Sequence, residues 1–223
     1  MLPLFERPVI DYALGTIRRS GIKDITIISN QFIGQIAKHI GAGFKGEKIH
    51  YVMEETPEGV AEALELARPH NEDCRLLIYF SDNITTVEMA ETVEQYISSE
   101  SNPGCVLLAR EEKNPQAFGV AVMGEGNKVI DIVEKPTNPP SNLAIGGIYL
   151  FDERFWTFLD EGVAEMGVDF SISDVTRRYV KDGSATLLTV GEETWVDCGT
   201  AESLLQASIM ARDGKLNPSP HRE

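Results

Sequence analysis

Apolar and polar positions follow two different periods along the first half of the chain, which predicts strands and helices in turn. Runs of β-branched and apolar residues predict strands at 24–29, 48–53, 75–80 and 104–110. Apolar residues at helical spacing predict helices at 7–21, 31–40, 59–67 and about 87–98. Alternation of this kind favours an α/β fold with a doubly wound, mostly parallel sheet.

The second half of the chain has a different pattern, in which β-rich segments dominate. Two such runs around a glycine-containing turn predict a hairpin over 119–136, which adds a small antiparallel lobe. Further elements are predicted as strands at 143–152 and 185–190, and as helices at 172–183 and 201–212. The pattern assigns no element to residues 153–171. We expect one domain over 1–212, followed by a tail over 213–223.

Composition narrows the class of function. The 223 residues suffice for one α/β domain with a substantial core, and a hydrophobic content of 42% is ordinary for a globular protein. The formal charge of −15 at pH 7 argues against binding of nucleic acid or anionic membranes, because both require basic patches. An anionic substrate would therefore need a metal ion or a few well-placed Lys and Arg side chains.

Cysteine and histidine positions argue against structural zinc. Cys74, Cys105 and Cys198 lie far apart without a C-x-x-C pair, which is typical of a reduced, cytoplasmic protein. The four histidines show no metal-ligand spacing, so we expect them on the surface or in loops. The chain has no apolar run long enough for a membrane span and no N-terminal signal pattern, so we expect neither insertion nor secretion.

Two aspartates follow or end apolar segments in similar settings. Asp82 comes just past the most apolar predicted strand, whose uninterrupted apolar run is typical of a central parallel strand buried on both faces. Ligands of open α/β sheets bind beyond the carboxyl ends of strands. Asp82 therefore either caps the next helix or faces a ligand. Asp197 follows an apolar residue and precedes a small residue and a glycine. If the two carboxylates converge, they suit Mg²⁺ held jointly with substrate phosphates.

A second group of polar and small residues lies around the predicted hairpin. Glu134 and Lys135 end its second strand, either as solvated charges or as groups that contact a sugar hydroxyl and a phosphate. Gly119, Gly146 and Gly147 lie in or beside strands, where glycine marks either a close approach of a ligand or a β-bulge. The sequence leaves both alternatives open.

Several segments together resemble one known family. They are ETPEGVAEAL, SDN, AFGVAVM, VIDIVEKPTNPPSN, AIGGIYLFD, SDVTRRYV and WVDCGTAESLLQAS. Their order and spacing are similar to those of sugar-1-phosphate nucleotidylyltransferases, especially the short form of glucose-1-phosphate thymidylyltransferase. The resemblance runs from Leu2 to about Arg212. It implies a Rossmann-like nucleotidyltransferase fold with a mixed, mostly parallel sheet, an inserted sugar-binding lobe and a first strand that is missing here.

The resemblance also implies a reaction and a set of roles. A nucleoside triphosphate, by this likeness dTTP, would react with a sugar 1-phosphate, by this likeness glucose 1-phosphate, in the cytoplasmic synthesis of a nucleotide sugar of the dTDP-rhamnose pathway. Homo-oligomers are usual in the family. The implied site residues are Asp82 and Asp197 for Mg²⁺; Glu134, Gly119 and Gly147 for the sugar; Lys135 for its phosphate; and Glu54, Pro57 and Gly59 for the base.

The chain departs from the family pattern at two places. Glu54 stands where the family usually has Gln, and an ionised Glu can only accept hydrogen bonds. This leaves guanylyl or uridylyl specificity open beside thymidylyl specificity. The family also has a strand and a Gly-rich triphosphate loop, roughly two dozen residues, before the segment that begins here at Met1. We therefore expect a truncated chain with impaired catalysis.

Two other functions remain open at this stage. One is a non-catalytic module that binds a nucleotide sugar or a sugar phosphate, which a genuine start at Met1 would favour over a gene fragment. The other is a metal-dependent glycosyltransferase, which also uses an aspartate at a strand end. The ordered segments EKP, GGIY and WVDCGT argue against the glycosyltransferase.

Overall fold

The structure, a computed structural model, describes residues 1–56, 58–99, 103–125, 128–191 and 194–218, apart from the side chain of residue 168. Its strands are β1 (Pro3–Leu4), β2 (Arg7–Pro8), β3 (Asp24–Ser29), β4 (Lys48–Met53), β5 (Leu76–Tyr79), β6 (Asn83–Thr85), β7 (Cys105–Glu111), β8 (Gly119–Met123), β9 (Val129–Glu134), β10 (Leu143–Phe151), β11 (Ala185–Thr189) and β12 (Trp195–Asp197). Its helices are α1 (Val9–Arg19), α2 (Ile33–Ile40), α3 (Val60–Asn71), α4 (Ala90–Ser98), α5 (Phe155–Met166), α6 (Ile172–Lys181) and α7 (Ala201–Arg212).

The chain divides into two compact units. The first unit contains Met1–Thr56, Tyr79–Gln95 and Glu192–Glu223, and the second contains Pro57–Ile78 and Tyr96–Gly191. The predicted single domain over 1–212 and the tail after it stay predictions. None of the helices in the described residues has the length and apolar content that a bilayer crossing requires.

The described residues of the first unit form three short ladders. β3 pairs with β4 in parallel, β1 with β2 antiparallel, and β12 with β6 antiparallel. One core of this unit packs α1 and α2 against the parallel pair through Leu14, Ile25, Ile27 and Ile40. A second core lies around β6, β12 and α7 and includes Ile84, Cys198 and Ala207. The second core thus packs around β12, which ends at Asp197, and around β6, which begins directly after Asp82.

The second unit contains a six-stranded sheet in the order β11-β7-β10-β8-β9, with β5 also paired to β10. Its core is aromatic where α5 and α6 cover the sheet. The Phe151 ring lies 4.9 Å from the Phe155 ring and 5.5 Å from the Tyr179 ring, measured between centroids. All three of these side chains are fully buried. This packing holds α6 over β9, where Glu134 ends the strand.

Most of the predicted elements are confirmed. The strands at 24–29 and 48–53 and the helix at 201–212 have the predicted bounds, and β8 and β9 form the predicted antiparallel hairpin. The mixed α/β class is also confirmed. In the described residues, the ladders β3–β4 and β7–β11 are parallel, and five other ladders are antiparallel. The antiparallel share is larger than the alternation of strands and helices predicts.

The structure differs from the sequence analysis at three places. The element after Asp82 is the strand β6, which removes the alternative that Asp82 caps a helix, and the helix predicted from about residue 87 begins at Ala90. The apolar run at 75–80 forms a half-buried strand, although its composition predicts full burial. The helix α5 lies in the segment to which the pattern assigns nothing. Its buried residues Phe155, Leu159 and Gly162 follow helical spacing, so the signal was present.

Candidate functional site

The two aspartates of the sequence analysis lie next to each other in the first unit. The ladder between β6 and β12 places Asp197 opposite Asn83, the residue that follows Asp82. The ladder continues one residue further, because the Cys198 amide donates to the Asp82 carbonyl with 2.8 Å between N and O. Two segments that are more than a hundred residues apart in sequence thus bring both carboxylates to one end of this ladder.

The electrostatics of Asp82 reflect this arrangement. Burial raises the pKa of the Asp82 carboxyl although the residue reaches solvent, and the negative charge of Asp197 raises the pKa further. Hydrogen bonds from the Asn83 side chain and from nearby backbone amides act in the opposite direction. Two like charges held together in this way repel each other, and a bound cation would remove the repulsion.

Asp197 is held by the turn that follows β12. The Gly199 amide donates to Asp197 Oδ1 at 2.8 Å. A Cβ atom on Gly199 would lie only 2.9 Å from the same oxygen, so the turn has room for glycine alone unless the carboxylate moves. The sequence therefore needs Gly at this position to keep the carboxylate in place.

The donor set fits a magnesium ion that is shared with substrates. Mg²⁺ takes oxygen ligands and is commonly bound by one or two carboxylates, with phosphates and water completing its shell. Asp82 and Asp197 supply two such carboxylates whose mutual repulsion favours a cation. Within the described residues, no cluster of three or more His, Cys, Asp or Glu side chains could hold a metal without other ligands. The pair therefore fits a shared Mg²⁺ site rather than a closed structural one.

In the second unit the hairpin brings Gly119 and Glu134 opposite each other. The Ser173 hydroxyl, on α6, donates to Glu134 Oε2 at 2.6 Å. A Cβ atom on Gly119 would lie 3.1 Å from Ser173 Oγ and 3.3 Å from Glu134 Oε2. Glycine at 119 thus leaves the space that the hydrogen bond between Ser173 and Glu134 occupies. Glu134 is therefore a carboxylate oriented by Ser173, although its side chain is still 32% exposed.

Lys135 differs from its neighbour Glu134. Its side chain is 67% exposed, and its ammonium group lies 3.7 Å from Glu134 Oε1. Its backbone has a φ of +42°, in the left-handed region that residues other than glycine seldom adopt. The Lys135 amide donates to the Phe118 carbonyl at 3.0 Å, which continues the hairpin ladder past Glu134. Strained non-glycine residues are enriched at ligand sites, so the conformation of Lys135 favours a ligand site at the end of β9.

Gly146 and Gly147 lie in the middle of β10, where the register with β7 shifts. Ile145 pairs with Ala109 and Tyr149 with Leu107, so β10 contains two extra residues between these pairs. The glycines fall inside this irregularity, which favours the β-bulge alternative. Bulges often lie beside active sites, so the finding leaves the predicted sugar contact of Gly147 as a prediction.

The residues assigned to the base are described only in part. Glu54 follows β4 in the first unit and is half-buried, and its amide donates to the Ser29 carbonyl at 2.9 Å. Gly59 precedes α3 in the second unit with a φ of +133°, where no side chain would meet a neighbour but the backbone requires glycine. Pro57 lies outside the described residues.

Sequence reasoning missed three residues that support the predicted ones. Ser173, Asn83 and Trp195 all belong to the quoted segments, but no role was assigned to them. Ser173 is buried and donates to Glu134, and Asn83 is buried and donates to Asp82 Oδ1 at 2.9 Å. Their only signal was their presence in those segments, because the bonds from Ser173 to Glu134 and from Trp195 to Asn83 join distant residues and leave no periodic pattern.

A comparison with protein families gives a match over nearly the whole chain. Residues 1–213 match the model of the nucleotidyl transferase family. The chain is 30% identical over 213 residues to glucose-1-phosphate thymidylyltransferase of Neisseria meningitidis. The aligned region covers 93% of this chain and 73% of that protein. It is 29% identical over 217 residues to the low-salt glycan biosynthesis nucleotidyltransferase Agl11 of Haloferax volcanii. That match covers 96% of this chain but only 60% of the Haloferax protein.

Solved structures of nucleotidyltransferases also superpose on this chain. A Bacillus anthracis protein assigned as a glucose-1-phosphate thymidylyltransferase, solved with sucrose, superposes with a TM-score of 0.86 at 30% identity. The superposition covers 95% of this chain and 85% of that one. A UDP-glucose pyrophosphorylase solved with UDP-glucose superposes with a TM-score of 0.80, but at 17% identity this likeness shows the fold alone.

Proposed function

The chain belongs to the nucleotidyl transferase family, and we propose that it transfers a nucleotidyl group from a nucleoside triphosphate to a sugar 1-phosphate. The products are a nucleotide sugar and pyrophosphate. The observation that carries the proposal is the pairing of Asp82 and Asp197 at one end of the β6–β12 ladder in a chain of this family. We further propose dTTP and glucose 1-phosphate as the substrates, because the relative from Neisseria meningitidis is named for them.

The chemistry follows from charge and position. A phosphate oxygen of the sugar 1-phosphate attacks the α-phosphorus of the triphosphate in line, the bond between the α-phosphorus and the bridging oxygen breaks, and pyrophosphate leaves. This reaction needs no protein nucleophile, since alignment and charge neutralisation supply the catalysis. Asp82 and Asp197 would hold Mg²⁺, which when bound neutralises negative charge on the phosphates.

Residues of the second unit would recognise the sugar phosphate. Glu134, oriented by Ser173, accepts hydrogen bonds from sugar hydroxyls. Lys135 supplies a positive charge for the sugar phosphate, for which its exposed ammonium group is suited. Gly119 and Gly147 allow the ligand to approach the backbone closely.

The base would be recognised by Glu54, Pro57 and Gly59. Glu54 lacks the donor that a glutamine amide would offer, so base preference is the most open part of the proposal. Competition among dTTP, UTP and GTP at equal concentration measures it directly. A clear preference for dTTP contradicts guanine specificity. A preference for GTP supports recognition of guanine by the Glu54 carboxylate.

The proposal also includes the pathway, the compartment and the oligomeric state of the protein. The fold and the class of product suit nucleotide-sugar biosynthesis of the dTDP-rhamnose type in the cytoplasm, with a homo-oligomer as the working form. Light scattering of the purified chain measures its oligomeric state. A monomer at micromolar concentration contradicts that part without affecting the proposed chemistry.

The decisive experiment is a turnover assay with glucose 1-phosphate, dTTP and Mg²⁺, in which both pyrophosphate and dTDP-glucose are quantified. We expect both products in equal amounts, and a loss of about 100-fold or more in kcat for Asp82→Asn and for Asp197→Asn. Asp73→Asn, which changes an exposed carboxylate, is the matched control and should keep full activity. If the chain makes no product but binds dTDP-glucose in calorimetry, it is a binding module and the catalytic proposal is wrong.

A further inference from the structure

A buried asparagine lies between Asp82 and a tryptophan. The Asn83 side-chain amide donates from Nδ2 to Asp82 Oδ1 at 2.9 Å. The Trp195 indole donates from Nε1 to Asn83 Oδ1, also at 2.9 Å. Asn83 is 5% exposed and Trp195 9% exposed, so neither group is oriented by bulk water. The three residues form a hydrogen-bonded chain from the unit's core to the carboxylate.

The chemistry of the indole decides the direction of this chain. An indole N–H can only donate a hydrogen bond, so the atom of Asn83 that faces Trp195 must be the amide oxygen. The amide nitrogen must then face Asp82, where it donates to a carboxylate oxygen. A reversed amide would place an N–H against the indole N–H and an oxygen against the carboxylate, which is unfavourable at both ends.

The backbone around Asn83 is fixed by the same ladder that carries the two aspartates. Asn83 pairs with Asp197, and Trp195 pairs with Thr85, on the two strands of that ladder. The Tyr79 hydroxyl donates to the Asn83 carbonyl at 2.8 Å. The backbone that carries the Asn83 amide is therefore held in place, and a small movement of the Asn83 side chain would move the Asp82 carboxylate as well.

We propose that Asn83 is a positioning residue that holds the Asp82 carboxylate for a divalent cation, and that Trp195 sets the orientation of its amide. The inference rests on the proposed function, because it assigns Asp82 to the cation. It goes beyond that function by placing part of the cation affinity in two residues that contact no ligand. Partners of this kind, one step behind a metal ligand, commonly contribute 10- to 100-fold in metal affinity.

The test measures the affinity of the full chain for Mn²⁺, which replaces Mg²⁺ because electron paramagnetic resonance can quantify the free Mn²⁺. The variants are Asn83→Leu, which removes both hydrogen bonds, and Trp195→Phe, which removes only the indole donor. We expect each to weaken Mn²⁺ binding by roughly 10-fold or more. Since Trp195 acts through Asn83, the double variant should bind about as weakly as Asn83→Leu alone.

A matched control removes a different hydrogen bond from the same ladder. Thr85 Oγ1 donates to the Thr194 carbonyl at 2.9 Å and accepts from the Val87 amide at 3.1 Å, and Thr85→Val removes both bonds without touching the amide of Asn83. Its Mn²⁺ affinity should stay within about twofold of the parent chain, even if its melting temperature falls as far as that of Trp195→Phe. Circular dichroism of every variant reports whether the fold is kept.

The outcomes separate this inference from the proposed function. Parent-like Mn²⁺ binding by both Asn83→Leu and Trp195→Phe overturns the positioning role, while Asp82→Asn still tests the site itself. Equal weakening by Thr85→Val also overturns it, because ladder stability would then explain the effect. If the parent chain and Asp82→Asn bind Mn²⁺ alike, the cation site assigned under the proposed function is wrong and the inference is wrong with it.

Discussion

Ser173 donates its hydroxyl hydrogen to Glu134 across 39 positions of sequence, with 2.6 Å between Oγ and Oε2. The bond joins α6 to the end of β9 and leaves a carboxylate oriented where a sugar phosphate is proposed to bind. Arg177, on the same helix, donates to the Ile132 carbonyl at 3.0 Å and strengthens this docking. The position of Glu134 thus depends on a helix that follows it in the chain.

The first prediction concerns this hydroxyl. Ser173→Ala should raise the KM for glucose 1-phosphate roughly tenfold, the equivalent of about 1.4 kcal/mol, because Glu134 loses its donor. The KM for dTTP should not change. Ser173→Thr keeps a hydroxyl and should restore most of the affinity. Steady-state kinetics with each substrate varied in turn measures the split.

Ser171→Ala is the control for this prediction. The Ser171 hydroxyl bonds to Asp174 and caps α6, so its loss should destabilise the helix by about 1 kcal/mol without changing either KM. If Ser171→Ala raises the KM for glucose 1-phosphate as much as Ser173→Ala does, helix stability rather than the bond to Glu134 sets the affinity.

A second prediction uses the space at Gly119. In Gly119→Ala the new Cβ would crowd Ser173 Oγ and Glu134 Oε2, so the hydrogen bond between them should be displaced and the KM for glucose 1-phosphate should rise several-fold. When Ser173→Ala is already present, the added methyl should have a smaller effect, because one of the crowded atoms is gone. Kinetics of both single variants and the double variant gives the coupling.

The control for the crowding effect is Gly34→Ala, on α2. Apart from the backbone of α2 itself and the two flanking residues, no atom lies within 4 Å of the position of its Cβ, so this substitution should leave both KM values unchanged. Full additivity of Gly119→Ala and Ser173→Ala would contradict the prediction, since independent sites add and crowded neighbours do not.

A third prediction concerns the pH dependence of thiol chemistry. Burial, and then the charges of Asp197 and Asp82, raise the pKa of the Cys198 thiol from 9.0 to about 11, and burial raises the pKa of Cys105 well above the ordinary value. At pH 8 only about one Cys198 in a thousand would be a thiolate even if reagents reached it. Exposed Cys74 should therefore be the one thiol that reacts rapidly with a disulfide reagent at pH 8.

The measurement is the stoichiometry of modification, compared between the folded chain and the chain in denaturant, where all three thiols should react. Because the folded state holds the Cys198 proton more tightly than the unfolded chain does, the free energy of unfolding should fall as the pH rises from 9.0 to about 11. Rapid modification of two thiols in the native chain at pH 8 would show that Cys198 or Cys105 is accessible.

A fourth prediction concerns stability of the second unit. The Tyr179 hydroxyl donates to Asp152 Oδ1 at 2.8 Å, and both residues are buried. Tyr179→Phe leaves the Asp152 carboxylate with one donor fewer, so it should destabilise the chain by about 1–3 kcal/mol. Urea unfolding measures the change.

Tyr51→Phe provides the comparison. The Tyr51 hydroxyl donates to a backbone carbonyl, that of Gly41, and Tyr51 is only half-buried, so its loss should destabilise the chain by less, about 0.5–1.5 kcal/mol. Equal losses in the two variants would show that the buried charge of Asp152 adds nothing to the bond from Tyr179.

The sequence by itself determined the elements whose residues interact locally. Strands β3 and β4 and helix α7 were predicted to the residue, because β-branched runs and helical spacing act over a few neighbouring positions. The segment order also indicated the family, since the aspartates and the hairpin glutamate lie in its quoted motifs. The helix α5 was not predicted, although its buried residues follow helical spacing and the local pattern therefore contains its signal.

Only the tertiary structure decided which residues stand beside the predicted ones. Pairing of β6 with β12 brings Trp195 to Asn83, the sequence neighbour of Asp82, and docking of α6 brings Ser173 to Glu134. It also decided that a strand and not a helix follows Asp82. The physical reason is that periodicity records which face of an element is apolar, whereas a hydrogen bond between distant segments depends on how the whole chain packs and leaves no trace in the local pattern.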